Sequence, residues 1–387
     1  MPMTTSFPIE AFRSIPTPFY YYDTALLQQT LDTVAAHLRR HPSWHMHYAV
    51  KANANPELLR QISAAGFGAD CVSGGEVRQA LNAGIVPGEI VFAGVGKTDE
   101  EIRYALYQGI GCFNVESVEE LEIISELASA AGVTAPVALR INPDIGAHTH
   151  ANITTGLAEN KFGINQEKVA RAAELVRTLP GLDFKGLHFH IGSQITDMTD
   201  FMALCNRINE WQEWFYTEGI KVKSINVGGG LGVDYEHPEQ NSIPNFEGYF
   251  STYANHLHLM EGQEFHCELG RSMVAQCGTL IASCIYVKDG TFKKFIIVDA
   301  GMNDILRPAL YHAYHKVDNI SNHDGKPMVY DVVGPICEST DCFAKAIYVP
   351  ETKRGDLIAI CSAGAYGEAM ASTYNSRPLP GSFFTKE

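Results

Sequence analysis

The sequence predicts an α/β protein: a (β/α)8 TIM-type barrel plus a C-terminal mostly β domain, which an N-terminal strand joins. Three observations carry that expectation. Short apolar runs alternate with helical patterns eight times, over about the 250 residues that such a barrel uses. The helices open on capping residues and stop at glycines. After about Ser272 the pattern turns into strand-like runs with no long amphipathic helix among them. The expected boundaries are 24–271 for the barrel, and 1–23 with 272–387 for the β domain.

The elements follow in order. FYYY (19–22) reads as the strand that joins the second domain. Asn55-Pro56 opens a helix that ends at Gly66, with proline at the first helical position, where its missing N–H costs nothing. Ser73 with Glu76, Thr98 with Glu101, and Ser117 with Glu120 form capping boxes for helices that stop near Gly84, Gly109 and Gly132. In the last of these, Val118, Leu121, Ile124, Leu127, Ala128 and Ala131 make one apolar face. The strand runs are MHYAV (46–50), ADCV (69–72), EIVFAG (89–94), CFNV (112–115), PVALRINP (136–143), FKGLHFHI (184–191), KSINVGG (223–229) and EFHCELG (264–270). Strands alternating with helices make parallel β/α units. Beyond the barrel, TLIASCIYVKDGTFKKFIIVDAG sets Asp289-Gly290 between two β-rich runs, a hairpin signal. YDVVGPICE and DLIAICSAGAYG continue the β pattern.

Composition narrows the function. A 387-residue chain with 45% hydrophobic residues can bury a large core. With 19% charged residues and 34 glycines it is neither a coiled coil nor a disordered tail. Lys plus Arg number 29 against 44 Asp plus Glu, a net charge of −15. That excess disfavours general binding to nucleic acid or to an anionic membrane. The nine cysteines include no C-x-x-C pair, so neither a disulfide framework nor a zinc knuckle is expected and a reducing compartment fits. The N-terminus has no apolar signal core, and no segment offers the ~18 uninterrupted apolar residues of a membrane span. A cytoplasmic enzyme with a small-molecule substrate is the expectation.

In a barrel of this kind the chemistry sits at the carboxyl ends of the strands. Those ends carry Lys51, Ser73, Gly94, Arg140, Asn142, His190, the run Gly228-Gly229-Gly230, and Glu268, Gly270 and Arg271. A lysine in a barrel mouth loses solvation, which lowers its pKa and frees a neutral amine for a carbonyl; taken alone, Lys51 reads first as a surface lysine at a strand end. The glycine run can bring backbone N–H groups against a phosphate, or can be a tight turn. His188 and His190 are spaced to share one face of a strand, which fits a zinc pair lacking an obvious third ligand, a ring stacked on an aromatic cofactor, or a satisfied core. Glu268 could hold a ring nitrogen protonated, or could pair with Arg271 at the surface. Cys337, after Gly334-Pro335, would ordinarily fill a core. Gly364-Ala365-Tyr366-Gly367 reads as a strand-to-loop turn.

The order of these pieces along the chain is more informative than any one of them. YAVKAN (48–53), GADCVSGGE (68–76), HFHIGSQ (188–194), NVGGGLG (226–232), ELGR (268–271), DILRPALYHAYH (304–315), GPICESTD (334–341) and GAYGEAMASTYNSRP (364–378) resemble the diaminopimelate decarboxylases. These belong to the barrel-type (fold type III) pyridoxal-phosphate decarboxylases, which also include ornithine and arginine decarboxylases. TGLAENKFGI (155–164) looks like that group's barrel-loop signature. The resemblance runs from about residue 18 to 378.

The resemblance implies a pyridoxal 5′-phosphate enzyme that converts meso-2,6-diaminopimelate to L-lysine, as a homodimer with shared active sites. It makes Lys51 the lysine that carries the cofactor and stacks His190 on its ring. Ser193, Gly228, Gly229, Gly230, Glu268, Gly270 and Arg271 would hold its phosphate and ring nitrogen, with Tyr366 lining the site. Arg271, Arg307 and Tyr311 would bind the substrate's distal carboxylate, and Glu338 its distal ammonium. Cys337 of the partner subunit would return a proton to Cα. Leu269 departs from the pattern, standing where that family mostly has proline, and the turn loses proline's stiffness. A protonated ring absorbs the electron pair left by CO₂, and a glutamate at the ring nitrogen favours that course. Paired arginines suit a zwitterionic distal end and would repel a lone distal cation. The competing readings are a sister decarboxylase acting on ornithine, arginine or carboxynorspermidine, a non-catalytic pyridoxal-phosphate carrier on the same barrel, and a zinc hydrolase using His188 and His190.

Overall fold

The fold is that of a computed structural model, which describes residues 7–145 and 161–385. The chain divides into two compact units: Leu31–Gly232 with Asn245–Gly270, and Met1–Thr30 with Val233–Pro244 and Arg271–Glu387. Strand β1 is Phe19–Tyr22. The eight predicted barrel strands all form: β2 (Trp44–Ala49), β3 (Gly68–Cys71), β4 (Ile90–Phe92), β5 (Cys112–Val115), β6 (Ala135–Arg140), β7 (Leu182–His188), β8 (Ser224–Asn226) and β9 (Glu264–Leu269). They close into a barrel in chain order, every pair parallel, and β2 pairs with β9 at the seam from Trp44↔Phe265 to Tyr48↔Leu269. Leu269 is therefore a fully buried strand residue. Most of the signature at 155–164 lies outside the described residues.

The helix caps hold the strands in step, with one refinement. Thr98 and Glu101 make the full reciprocal capping box. Ser73 and Ser117 accept from the N–H groups of Glu76 and Glu120 as expected. Those glutamates, however, reach one residue further back, to the N–H of Val72 (2.7 Å) and of Glu116 (2.8 Å). Each carboxylate thus satisfies a donor just past a strand end and fixes the strand-to-helix turn there. Gly109 and Gly132 end their helices at φ of 68° and 67°, where a side chain would strain the backbone. In the helix Val118–Ala131, Leu121, Ile124, Leu127 and Ala128 are buried, whereas Ala131 is exposed. Ser125 takes a place on the buried face because its hydroxyl donates to Pro180 O at 2.7 Å.

The second unit is a sheet organised by the long strand β10 (Gly278–Asp289). It contains β11 (Lys294–Val298), β12 (Val317–Asn319), β13 (Pro327–Val333), β14 (Cys342–Pro350), β15 (Leu357–Ile360) and β16 (Gly381–Phe384). The strand order is β12-β15-β10-β11-β13-β14. The N-terminal strand joins this sheet as predicted: β1 pairs antiparallel with β10 and parallel with β16. Phe19 and Tyr21 of β1 enter a core with Phe12, Ile281, Ile320, Leu357 and Ala359. The Asp289-Gly290 hairpin also forms, with residues 290–293 as its loop, closed by Gly290 N–H donating to Lys293 O at 2.7 Å.

Candidate active site

The barrel places a cluster of polar side chains at and inside the carboxyl ends of its strands. Lys51 follows β2 in a single 3-10 turn, Val50–Ala52. Gly270 makes room for that turn, since a Cβ there would lie 2.9 Å from Ala49 Cβ and 3.1 Å from Ala52 Cβ. The Lys51 side chain is 41% exposed, and its Nζ lies 3.6 Å from Asp70 Oδ2 on β3. Both Asp70 oxygens are buried without a hydrogen-bond partner among the described residues. Burial, reinforced by the charge of Glu268, pushes the Asp70 carboxyl well above the usual carboxylate range.

Glu268 on β9 is the opposite case. Its Oε1 accepts from Nδ2 of Asn114 (3.0 Å) and of Asn226 (2.8 Å), and its Oε2 accepts from His188 Nε2 at 3.1 Å. Burial opposes its ionisation, but His188, Lys51 and His190 outweigh that and hold the carboxyl well below its ordinary value. Two neighbouring acids are thus driven in opposite directions, Asp70 upward without donors and Glu268 downward with three.

His190 corrects one expectation. β7 ends at His188, so the alternation that would put both histidines on one strand face does not extend to His190. His190 lies in the loop beyond, where its Nδ1 accepts from Gly229 N–H at 3.2 Å. Burial, with the Lys51 and Arg140 charges adding, pushes His190 well below its ordinary value. The ring is neutral with its proton on Nε2. Against a zinc pair, His188 Nε2 is engaged by Glu268 and His190 Nδ1 by Gly229 N–H.

The glycine run is pressed into the neighbouring loops. Gly228 (φ +68°) and Gly230 (φ +114°) adopt backbone conformations that L side chains avoid. A Cβ on Gly229 would lie 1.9 Å from Glu268 O. Ile195 N–H donates to Gly230 O, and Gly232 N–H donates to Ile195 O. These bonds knit the loop carrying Ser193 to the glycine run.

Several partners were not singled out from the sequence. Asn114 and Asn226 sit inside apolar strand runs, and a buried amide there requires a partner; that was the available signal. Asp70 in GADC gave the same sign. Glu116 is bonded by Arg140 Nη1 at 2.6 Å and by the N–H groups of Gly94 and Gly163. That buried ion pair braces three strand ends and leaves Arg140 a structural cation.

The second unit holds its own cluster. Arg271 donates to Tyr235 Oη at 2.7 Å and lies 4.9 Å over the Tyr366 ring. Arg307 stacks 4.8 Å over the Tyr235 ring, and its Nη1 donates to His315 Nε2 at 2.7 Å. His315 Nδ1 faces Cys361 O at 2.8 Å, and a carbonyl can only accept, so Nε2 is the acceptor for Arg307. Burial and the Arg307 charge push His315 down to about 3. Both arginines are buried, and among the described residues no carboxylate forms an ion pair with Arg307. Tyr311, on the same short helix as Arg307, is half-buried.

Cys337 overturns the expectation that it fills a core: it is the one exposed cysteine among nine free ones. Its N–H donates to Asn375 Oδ1 at 3.2 Å, while Glu338 beside it accepts from Tyr374 Oη at 2.5 Å. Both lie on a surface loop, bonded to the 374–375 segment.

The closed barrel with a strand-end lysine, a donor-held buried glutamate and a glycine cradle defines a class, the pyridoxal-dependent decarboxylases. Residues 27–275 match the family model described as pyridoxal-dependent decarboxylase, pyridoxal binding domain. The chain is 58% identical over 381 residues to the diaminopimelate decarboxylase of Bacteroides thetaiotaomicron, covering 98% of each chain. It is 46% identical over 336 residues to that of Zymomonas mobilis, covering 86% of this chain and 78% of the relative. The crystal structure of the Helicobacter pylori diaminopimelate decarboxylase complexed with L-lysine aligns at a TM-score of 0.91 and 40% identity, over 98% of this chain and 94% of that one. The chain belongs to the diaminopimelate decarboxylase family.

Proposed function

We propose that the chain is a carboxy-lyase that removes CO₂ from meso-2,6-diaminopimelate to give L-lysine, the last step of lysine biosynthesis, with pyridoxal 5′-phosphate as cofactor. The residues fit the cofactor. A strand-end amine stands beside a buried acid that lacks any hydrogen-bond partner among the described residues, and a second acid is held ionised by three donors. When bound, the cofactor supplies an electron sink for the pair left on Cα as CO₂ departs. Lys51 Nζ would be the attachment point, with the Asp70 carboxyl, pushed upward by burial, beside it. Glu268 would hold a proton on the ring nitrogen. His190, its Nδ1 fixed by Gly229 N–H, would offer its ring face to the cofactor. Ser193, Gly228, Gly229, Gly230, Gly270 and Arg271 would hold the phosphate end, with Tyr366 beside Arg271.

The observation that favours diaminopimelate over a diamine-forming substrate is Arg307. A buried guanidinium stacked on tyrosine and bonded to a neutral imidazole, with no carboxylate paired to it among the described residues, is prepared for an anionic ligand. Arg271 and Tyr311 complete a carboxylate reader, and Glu338 takes the distal ammonium. In this proposal Cys337 serves the active site of a second subunit of a cytoplasmic homodimer. Among the described residues no helix is long and apolar enough to cross a membrane.

The direct test is turnover of meso-diaminopimelate against ornithine, arginine and carboxynorspermidine, with chiral analysis of the product. Release of CO₂ from diaminopimelate alone, with L-lysine formed, is expected; a diamine from ornithine or arginine would refute the substrate assignment. Arg307→Leu should raise KM for diaminopimelate about 10- to 100-fold, the worth of a charged hydrogen bond, while cofactor absorbance stays unchanged. Loss of cofactor instead would move Arg307 out of the substrate role. Glu268→Gln should retain cofactor but lower kcat about 10²-fold, since a neutral amide no longer balances a protonated ring nitrogen. An unchanged kcat would place some other group there.

A further inference from the structure

A second cluster lies at the opposite ends of the two seam strands. β2 and β9 begin with Trp44-His45-Met46-His47 and Glu264-Phe265-His266, and their register sets His45 beside His266. Side chains alternate along a strand, so His45 and His47 share one face of β2, and Glu264 and His266 share one face of β9. One ligating atom each from His45, Glu264 and His266 lies within 4.8 Å of the others.

Hydrogen bonding fixes which nitrogen of His266 is available. His47 Nδ1 is 3.1 Å from Glu89 O, and a carbonyl only accepts, so Nδ1 carries a proton. His47 is buried, and its Nε2 lies 2.9 Å from His266 Nδ1, so the two rings share a hydrogen bond through those nitrogens. The other nitrogen of His266, Nε2, faces Glu264 Oε2 at 3.5 Å, and a cation between the two would be held by both. The relay has been given space: a Cβ on Gly68 would lie 2.5 Å from His47 Nδ1 and 2.3 Å from Glu89 O.

We propose that His45, Glu264 and His266 bind one divalent transition-metal ion of the zinc type, which staples the first barrel strand to the last at their amino ends. Two imidazoles and a carboxylate, with a fourth position open to water, form a borderline N/O donor set suited to Zn²⁺. The His266–His47–Glu89 chain is the outer support that orients a ligating histidine and raises its basicity. Glu264 is exposed and His45 half-buried, so the site is open to ions from solution. It lies at the end of the strands remote from Lys51, and its role is to hold the seam.

The test uses untagged holoenzyme, treated with chelator and then titrated calorimetrically with ZnCl₂, alongside His45→Gln and Glu264→Gln. Wild type is expected to take up one more equivalent of zinc per chain than either variant, and to gain thermal stability on zinc addition that the variants do not gain. Co²⁺ should give wild type, and not the variants, a visible absorption band of a low-coordinate site. Unchanged cofactor absorbance and decarboxylation in both variants would show that they remain folded. Equal zinc uptake by wild type and both variants would overturn the proposal. So would no uptake by wild type, which would mean that a proton on His266 answers Glu264.

Discussion

Lys51→Ala is expected to show no measurable decarboxylation of meso-diaminopimelate and no visible absorbance from bound cofactor, while unfolding at close to the wild-type temperature. The loss should be complete because no other amine of the barrel can substitute. Lys97, after β4, is the instructive comparison. It too lies near a strand end, but it is buried and all three of its donors are committed: to Gly94 O (2.9 Å), Asn114 O (3.0 Å) and Glu120 Oε1 (2.6 Å). An ammonium bonded in this way is held in place. Lys51 is more exposed than Lys97 and lies 3.6 Å from an Asp70 carboxyl that burial pushes well above the usual range, so it is placed to present its amine for chemistry. The same asymmetry predicts that the fold survives. Removing Lys51 takes a partly exposed side chain from beside a carboxyl that burial pushes toward its neutral form, whereas Lys97→Ala would take the cation from the largely buried Glu120 and should destabilise by about 3–5 kcal/mol. Thermal unfolding of the two variants separates the roles. Retained turnover in Lys51→Ala would refute the attachment point.

The barrel was legible in the sequence because its signals are local. Caps at Ser73, Thr98 and Ser117 and stops at Gly109 and Gly132 are decided within one turn of helix, and each appears where expected. The one-residue overreach of Glu76 and Glu120 was not legible, since it depends on where the preceding strand ends. The same limit explains the site. Lys51 and Glu268 stand out as charges closing apolar runs. What distinguishes them chemically is the company of Asp70, Asn114, His188 and Asn226, brought together only by closing the sheet. His190 shows the cost of reading periodicity past a strand's end: the alternation stops at His188, and the loop takes over. The seam histidines carried a signal that was overlooked, H-x-H at the start of one strand and E-x-H at the start of another. Their significance lies in the pairing of the first barrel strand with the last, which no local pattern encodes.

Cys337→Ala is expected to fold, to dimerise and to hold cofactor with normal absorbance, yet to lose about 10²–10⁴ in kcat, the usual worth of a positioned proton donor. The expectation rests on the proposed homodimer and on an observation that runs against the habit of free cysteine: this thiol alone among the nine is exposed within its own chain. A side chain that fills no core can be removed without opening a cavity, so stability should barely change, and a loss of activity would report chemistry. Its neighbours agree with a loop held ready for a partner, for Asn375 and Tyr374 fix the backbone of Cys337 and the carboxylate of Glu338 from the same side. The decisive measurement is complementation. Cys337→Ala and Lys51→Ala are each inactive, but a mixed dimer has one site with both wild-type residues if the thiol crosses to the other subunit. After random exchange of equal amounts, half the dimers are mixed and half of their sites are sound, so about a quarter of wild-type activity should return. If the thiol served its own chain, no site in the mixture would hold both residues and activity would stay at the level of the parents. Demonstrated subunit exchange without recovery would therefore remove Cys337 from the partner's active site.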